Sequence, residues 1–247
     1  MVHEFSSLAY QDLLQGFGVR GYAIVGYDQV DPSKKHIILR HDIDMSIESA
    51  LRMANIEASL KVSAHYFVLL RSELYNPYTK DNLKSLESIS SLGHKIGLHL
   101  DASLYRSDWR ALEIAADQEC KILENIIQKE VNLVSFHRPN KDLLGNGQNI
   151  AGRMHTYQPR FFKEIGYCSD SRGAWKYGHP YDHDAFKQGK ALQLLTHPIW
   201  WDGGSISAIN RLTELVETKN LQFQNSLGEN CETYQERHSM KTISKKY

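Results

Sequence analysis

The sequence is poor in cysteine, has no excess of either charge and contains no long apolar run. Its three cysteines, Cys120, Cys168 and Cys231, are odd in number and widely spaced, which argues against a disulfide framework and fits a reducing, cytoplasmic location. The 29 basic residues balance 29 acidic ones, so no global field would recruit nucleic acid. No run approaches the roughly 18 apolar residues of a membrane span, and the N-terminus lacks a basic region followed by an apolar core. We therefore expect a protein that is neither exported nor inserted into a membrane, with no nucleic-acid partner.

Patterns typical of strands and helices alternate along the 247 residues. Short apolar runs that indicate buried strands lie at 37–39, 64–70, 95–99, 131–136, 167–170 and 192–196. Segments with helical spacing separate them, and Ser46 is the predicted N-cap of one of these helices. Such alternation predicts an α/β fold with mostly parallel strands, most simply a barrel or partial barrel. We expect a single domain with an N-terminal helical cover at 1–35, the barrel at 36–218 and a polar helix or tail at 219–247.

The stretch Leu39-Arg40-His41-Asp42-Ile43-Asp44 places ionisable side chains at the end of an apolar strand. The period of two puts Asp42 and Asp44 on the same side of an extended chain. Two such carboxylates can divide the work of hydrolysis, one holding a divalent metal and the other taking a proton from the water on it. The alternative is structural, with Asp44 charging the N-terminus of the helix that begins near Ser46 and Asp42 in an ordinary turn.

Other strand ends are polar as well, and in a parallel α/β barrel these ends share one rim. They carry His99 and Asp101, His137 and Arg138, Asp170, and His197. A single histidine in such a place is usually structural. Several histidines and aspartates that converge on one rim predict an active site, since imidazole and carboxylate groups serve both as metal ligands and as proton carriers.

Three motifs resemble the metal-dependent polysaccharide deacetylases, a family with a distorted (β/α) barrel that removes acetyl groups from N-acetylated sugars. They are the paired aspartates, the segment Gly93-His94-Lys95-Ile96-Gly97-Leu98-His99, and Leu195-Thr196-His197, and the resemblance runs over 37–197. It implies that Asp42 is the general base, that Asp44 and His99 bind the metal, and that His197 is the general acid.

Two departures from the family pattern concern the ligands and the partner of the base. Ser103 stands where the family has a second histidine, and His137-Arg138-Pro139 stands where it has Arg-Pro-Pro. We infer that His137 replaces the missing imidazole as the third ligand; the alternative is that it hydrogen-bonds Asp42, as the family's arginine does. Arg138 is then expected to be the charge partner of Asp42 or Asp170.

The resemblance also implies a substrate class. Arg40, in the Arg-His-Asp-x-Asp motif, is expected to support the site. The combination of that motif with Gly-Leu-His and Ser-Asp-Ser-Arg resembles a divergent branch of the family found with bacterial surface-polysaccharide genes. We therefore expect a divalent-metal hydrolase, with zinc favoured, that deacetylates an amino sugar or glycan precursor in lipopolysaccharide biosynthesis. Trp200 is expected either to form an aromatic wall for a sugar ring or to close the barrel. The alternatives are a glycan-binding pseudoenzyme, which Ser103 favours, and an amidohydrolase of a small non-sugar amide.

Overall fold

The structure is a computed structural model that describes residues 5–105, 108–176 and 178–234. The chain divides into two compact units, residues 1–205 and 206–247. The first unit contains every strand that the described residues form. The expected division into cover, barrel and tail stays a prediction.

The first unit alternates strands with helices, as the sequence predicts. Its strands are β1 (Ala23–Ile24), β2 (His36–Ile43), β3 (His65–Val68), β4 (Lys95–Asp101), β5 (Leu133–His137), β6 (Met154–His155), β7 (Gly166–Ser169) and β8 (Leu192–Thr196). Its helices are α1 (Ser7–Val19), α2 (Ile47–Ser59), α3 (Lys80–Ser91), α4 (Trp109–Ile127), α5 (Pro159–Phe162) and α6 (Asp184–Lys187). The sequence did not predict β6 or α6. β6 has two residues and α6 has four, which is too few for the spacing of apolar residues to indicate a strand or a helix.

All of these strands pair in parallel in one sheet, in the order β6-β5-β4-β3-β2-β8-β7, and β1 also pairs with β2. The α/β class with parallel strands is therefore confirmed. All strand C-termini lie at the same edge of such a sheet, so the polar residues that end β2, β4, β5, β7 and β8 can meet there.

The sheet is curled into a partial barrel. Two strands, β3 and β4, lie between β2 and β5, which in a flat sheet would put β2 and β5 about 14 Å apart. Yet Asp42 of β2 and Ser135 of β5 are in side-chain contact, at 3.2 Å between Oδ1 and Oγ. At the two ends of the sheet, the ring centroids of Tyr157, just after β6, and Tyr167, in β7, are 6.3 Å apart. Side chains rather than a described strand pairing therefore close the barrel.

Local sequence accounts for the positions of the elements around the site. The Ser46 side chain accepts a hydrogen bond from the Ser49 backbone and caps α2, as predicted. In β4, a Cβ on Gly97 would lie 2.6 Å from the Phe67 ring and 2.7 Å from the Leu133 carbonyl oxygen. Glycine at this position therefore lets β4 approach its neighbours closely enough for the sheet to curl.

A buried polar cluster centred on Glu57 of α2 lies between β2 and the helices that pack on the sheet. Glu57 contacts His41 Nε2 at 2.7 Å and accepts hydrogen bonds from the Tyr66 hydroxyl at 2.6 Å and from the Tyr10 hydroxyl. The other nitrogen of His41, Nδ1, lies 2.6 Å from the Thr196 hydroxyl of β8. Side chains from α1, α2, β2, β3 and β8 thus meet in one hydrogen-bonded group, which is how a buried carboxylate is tolerated.

The second unit contains α7 (Ala208–Asn230), whose first turn is capped by the Ser207 side chain bonded to the Asn210 backbone. The helix thus begins eleven residues before 219, the expected start of a polar helix or tail, and residues 235–247 lie outside the described part. Among the described residues, no helix has the length and apolar character needed to cross a membrane.

Candidate active site

Asp44, His99 and His137 form a compact cluster at the C-terminal edge of the sheet. Asp44 follows β2, His99 lies in β4 and His137 ends β5. His99 Nε2 is 3.1 Å from Asp44 Oδ1 and 3.2 Å from His137 Nδ1, and His137 Nδ1 is 3.4 Å from Asp44 Oδ1. These are the three residues that the sequence singled out as ligands, and the structure brings them together.

The geometry of the cluster fits one small cation. A tetrahedral zinc ion with ligands at about 2.0–2.1 Å separates its ligand atoms by roughly 3.4 Å, close to the three distances in the cluster. Asp44 Oδ1 is buried and has no well-directed hydrogen-bond donor, so its lone pairs are available. Burial alone would raise the pKa of Asp44, but the adjacent His137 and His99 rings hold it well below its ordinary value. Three protein ligands of this kind leave a coordination position for a reactant.

Ser103 and Arg138 lie away from this cluster. The Ser103 hydroxyl donates to Asp101 Oδ1 at 2.6 Å, so it does not take the place of the missing imidazole. Arg138 adopts a left-handed backbone conformation, with φ of 51°, and its side chain is 70% exposed, 4.0 Å from Asp101 Oδ2. The expectation that Arg138 pairs with Asp42 or Asp170 is therefore wrong.

Arg40 is the residue that pairs with Asp42. Both side chains are buried, and Arg40 donates from Nε to Asp42 Oδ1 at 3.0 Å and from Nη2 to Oδ2 at 2.8 Å. Nη2 also bonds the Tyr157 hydroxyl at 3.0 Å, and the guanidinium lies 4.6 Å from the Tyr157 ring centroid. Burial alone would raise the pKa of Asp42, but the Arg40 charge outweighs it and lowers that pKa. Asp42 is therefore ionised and firmly held at neutral pH.

Sequence reasoning missed Ser135 and Tyr157, which both contact Arg40. Ser135 is fully buried, and its Oγ lies 2.6 Å from Arg40 Nη2, 3.0 Å from His99 Nδ1 and 3.2 Å from Asp42 Oδ1. A signal existed, because Ser135 is two residues before His137 and so shares its face of β5. Tyr157 lies in the loop after β6, where the sequence had no comparable signal.

On the other side of the cluster, His197 is held by Asp170. His197 Nδ1 lies 2.6 Å from Asp170 Oδ1, and the buried carboxylate also accepts the His197 backbone N–H at 3.0 Å and the Trp201 indole N–H at 2.7 Å. Burial alone would lower the pKa of His197, but the Asp170 charge and hydrogen bond raise it to about 9. Its free nitrogen, Nε2, is 3.8 Å from Asp44 Oδ2. The site therefore holds a protonated imidazole beside the ligand cluster at neutral pH.

Trp200 lies within the short 3-10 turn that follows His197. Only 6% of its surface is exposed, which leaves too little indole for a sugar ring to stack on. Of the two expected roles, the structure favours packing at the barrel end.

No protein-family model matches the sequence, and no curated protein matches it. Several solved structures are similar. A chitin deacetylase from the fungal pathogen Colletotrichum lindemuthianum is 14% identical over 80% of this chain and 86% of that one, with a TM-score of 0.48. A family 4 carbohydrate esterase from Bacillus anthracis is 18% identical over 87% and 86%, with a TM-score of 0.43. A CE4 family pseudoenzyme from Bacillus anthracis is 15% identical with a TM-score of 0.41; the match covers 78% of this chain and 63% of that one.

Proposed function

We propose that the protein is a metal-dependent hydrolase that removes the acetyl group from an N-acetylated amino sugar. One observation carries this proposal: the Asp44, His99 and His137 cluster lies between an ionised carboxylate and a protonated imidazole. Asp42 Oδ2 is 3.6 Å from His99 Nε2 on one side, and His197 Nε2 is 3.8 Å from Asp44 Oδ2 on the other. Amide hydrolysis needs a proton acceptor for water and a proton donor for the departing nitrogen.

Asp44, His99 and His137 would hold the divalent ion, and zinc is favoured by two imidazoles and one carboxylate. When bound, such an ion supplies a Lewis acid for the amide carbonyl and lowers the pKa of water. Asp44 contributes the negative charge of the ligand set. The two histidines contribute neutral nitrogen donors from neighbouring strands, which fixes their spacing.

Asp42 is proposed to act as the general base. It takes a proton from the attacking water, and Arg40 keeps the carboxylate oriented during this step. His197 is proposed to act as the general acid, giving its Nε2 proton to the leaving amine, while Asp170 keeps the opposite nitrogen protonated. The proton gained by Asp42 and the proton lost by His197 balance over the reaction.

The substrate is proposed to be an amino sugar or sugar precursor of bacterial surface-glycan biosynthesis, such as a lipopolysaccharide precursor in the cytoplasm. The resemblance of the combined Arg-His-Asp-x-Asp, Gly-Leu-His and Ser-Asp-Ser-Arg motifs supports this choice. A second candidate is a glycan-binding pseudoenzyme, which the replacement of a family ligand by Ser103 favours. An amidohydrolase of a small non-sugar amide is a third.

Metal analysis of the purified protein, followed by acetate release from a panel of N-acetylated nucleotide sugars, tests the proposal. We expect about one zinc per chain and acetate release that Asp42→Asn abolishes. The matched control is Asp202→Asn, a carboxylate bound to Arg52 and the Ser49 hydroxyl instead; it should retain activity. Glycan affinity without bound metal and without acetate release would identify the pseudoenzyme. Release from small amides alone would identify the third candidate.

A further inference from the structure

The Ser135 hydroxyl touches both the proposed base and a proposed metal ligand. Its Oγ is within 3.2 Å of Asp42 Oδ1 and within 3.0 Å of His99 Nδ1, and Arg40 Nη2 lies 2.6 Å away. Ser135 and Arg40 have no solvent exposure, and His99 has almost none. Water therefore has little access to substitute for a missing partner.

Counting donors and acceptors assigns the hydrogens around this atom. A guanidinium can only donate, an ionised carboxylate can only accept, and a hydroxyl has one hydrogen and two lone pairs. Arg40 Nη2 has two hydrogens for three oxygens, Asp42 Oδ2, Ser135 Oγ and the Tyr157 hydroxyl, and Oγ, the nearest of them at 2.6 Å, receives one. The Ser135 hydrogen then goes to Asp42. The remaining lone pair of Oγ accepts from His99, which must then carry a hydrogen on Nδ1.

This assignment determines what His99 presents to the cluster. A neutral imidazole with its hydrogen on Nδ1 has a lone pair on Nε2, and Nε2 is the atom that lies 3.1 Å from Asp44 Oδ1 and 3.2 Å from His137 Nδ1. In the opposite arrangement, Ser135 donates to Nδ1. Two oxygens, Ser135 Oγ and Asp42 Oδ1, would then face each other without a hydrogen between them, and Nε2 would carry a hydrogen that blocks a metal.

We propose that Ser135 is a positioning residue whose hydroxyl, ordered by Asp42, holds His99 in the Nδ1–H tautomer that can bind a metal through Nε2. The inference rests on the metal site of the proposed function. It adds that the proposed base, Asp42, and the ligand His99 are coupled through the Ser135 hydroxyl. A change in the hydrogen bonding of Asp42 therefore changes the hydrogen bonding of His99. Ligating histidines are commonly oriented by such a partner on their other nitrogen, but here that partner is also bonded to the base.

The experiment measures zinc affinity by chelator competition in the full chain for Ser135→Ala, Ser135→Thr and Ser169→Ala. Ser169 is a matched control, because it is a buried serine that ends β7 and its hydroxyl bonds the Ser171 hydroxyl at 2.9 Å. We expect the Ala variant at 135 to weaken zinc binding by about 10 to 100 fold. The Thr variant keeps the hydroxyl and should restore most of the affinity, and the control should bind as the unmodified protein does.

A second measurement needs no variant. Two-bond ¹H–¹⁵N spectra of the zinc-loaded, histidine-labelled protein should show His99 with a slowly exchanging hydrogen on Nδ1. Zinc affinity unchanged in Ser135→Ala, an Nε2–H signal for His99, or no zinc affinity in the unmodified protein would each overturn the inference. If zinc binding behaves as expected but no sugar releases acetate, the proposed reaction fails and the role of Ser135 stands.

Discussion

Replacing Asp170 by asparagine should lower the pH above which activity is lost. The carboxylate is buried and bonded to His197 Nδ1 at 2.6 Å, and its charge is the main reason that the pKa of His197 is raised to about 9. Asparagine keeps the size of the side chain and removes the charge. The pKa of His197 should then fall toward the ordinary histidine value of about 6.5.

The size of the effect follows from the fraction of protonated acid. At pH 8, a group with a pKa of 9 is about 90% protonated, whereas one with a pKa of 6.5 is about 3% protonated. The general acid works in its protonated form, so the rate is lost as pH rises through this pKa. We expect Asp170→Asn to be about 30-fold slower than the unmodified protein at pH 8, with a much smaller deficit at pH 6.

The assay is a pH profile of acetate release, paired with NMR titration of the His197 ring in the same variants. Asp202→Asn serves as the control, because Asp202 adjoins the same 3-10 turn but bonds Arg52 and Ser49. An alkaline limit that stays near pH 9 in Asp170→Asn would refute the assignment of the acid. A ring titration that moves while the activity profile does not would show that His197 titrates as described but is not the proton donor.

Three further predictions concern the base and the ligands. Asp42→Asn should keep its metal and lose most turnover, whereas Asp44→Ala should lose the metal, as measured by elemental analysis; equal metal contents and equal residual rates would contradict this division. His137→Ala should purify largely free of metal, and recovery of activity with modest added zinc would instead indicate a weaker, indirect role. Arg40→Gln should destabilise the fold by about 3–5 kcal/mol in urea unfolding because it leaves Asp42 charged and unpaired, and the double variant Arg40→Met, Asp42→Leu should recover much of that loss; a double variant no more stable than Arg40→Gln would contradict this explanation.

The sequence predicted the fold class and the cluster because both depend on local patterns. Short continuous apolar runs locate the strands, and a parallel arrangement places their C-terminal ends together. Asp44, His99 and His137 each lie at or near a strand end, so their convergence follows from those two facts. Ser46 could be predicted as a cap because capping is decided within four residues.

Motif alignment pointed to Arg138 rather than Arg40 as the partner of Asp42. His137 ends β5 and Arg138 follows it directly, so a shift of one position in the alignment of the motif exchanges their roles. Motif alignment left that shift open. Arg40 meets Asp42 because the two residues lie two positions apart on one face of β2. Ser135 of β5 meets Asp42 only because the sheet curls until β5 faces β2, and curl is a property of the whole sheet that no single strand pattern contains.

The cluster around Glu57 has a consequence for where the functional unit can be cut. All the motifs fall within 37–197, and a protein engineer would be inclined to retain only that segment. Tyr10 of α1 donates to the buried Glu57, so removal of the first helix would leave that carboxylate with one donor fewer, at a cost of about 1–3 kcal/mol, besides removing the packing of the helix's buried apolar residues. Because Glu57 also holds His41, the neighbour of Asp42, the loss would reach β2, the strand that carries the proposed base, directly. The smallest autonomous version of this protein therefore includes α1, although that helix contributes nothing to the motifs.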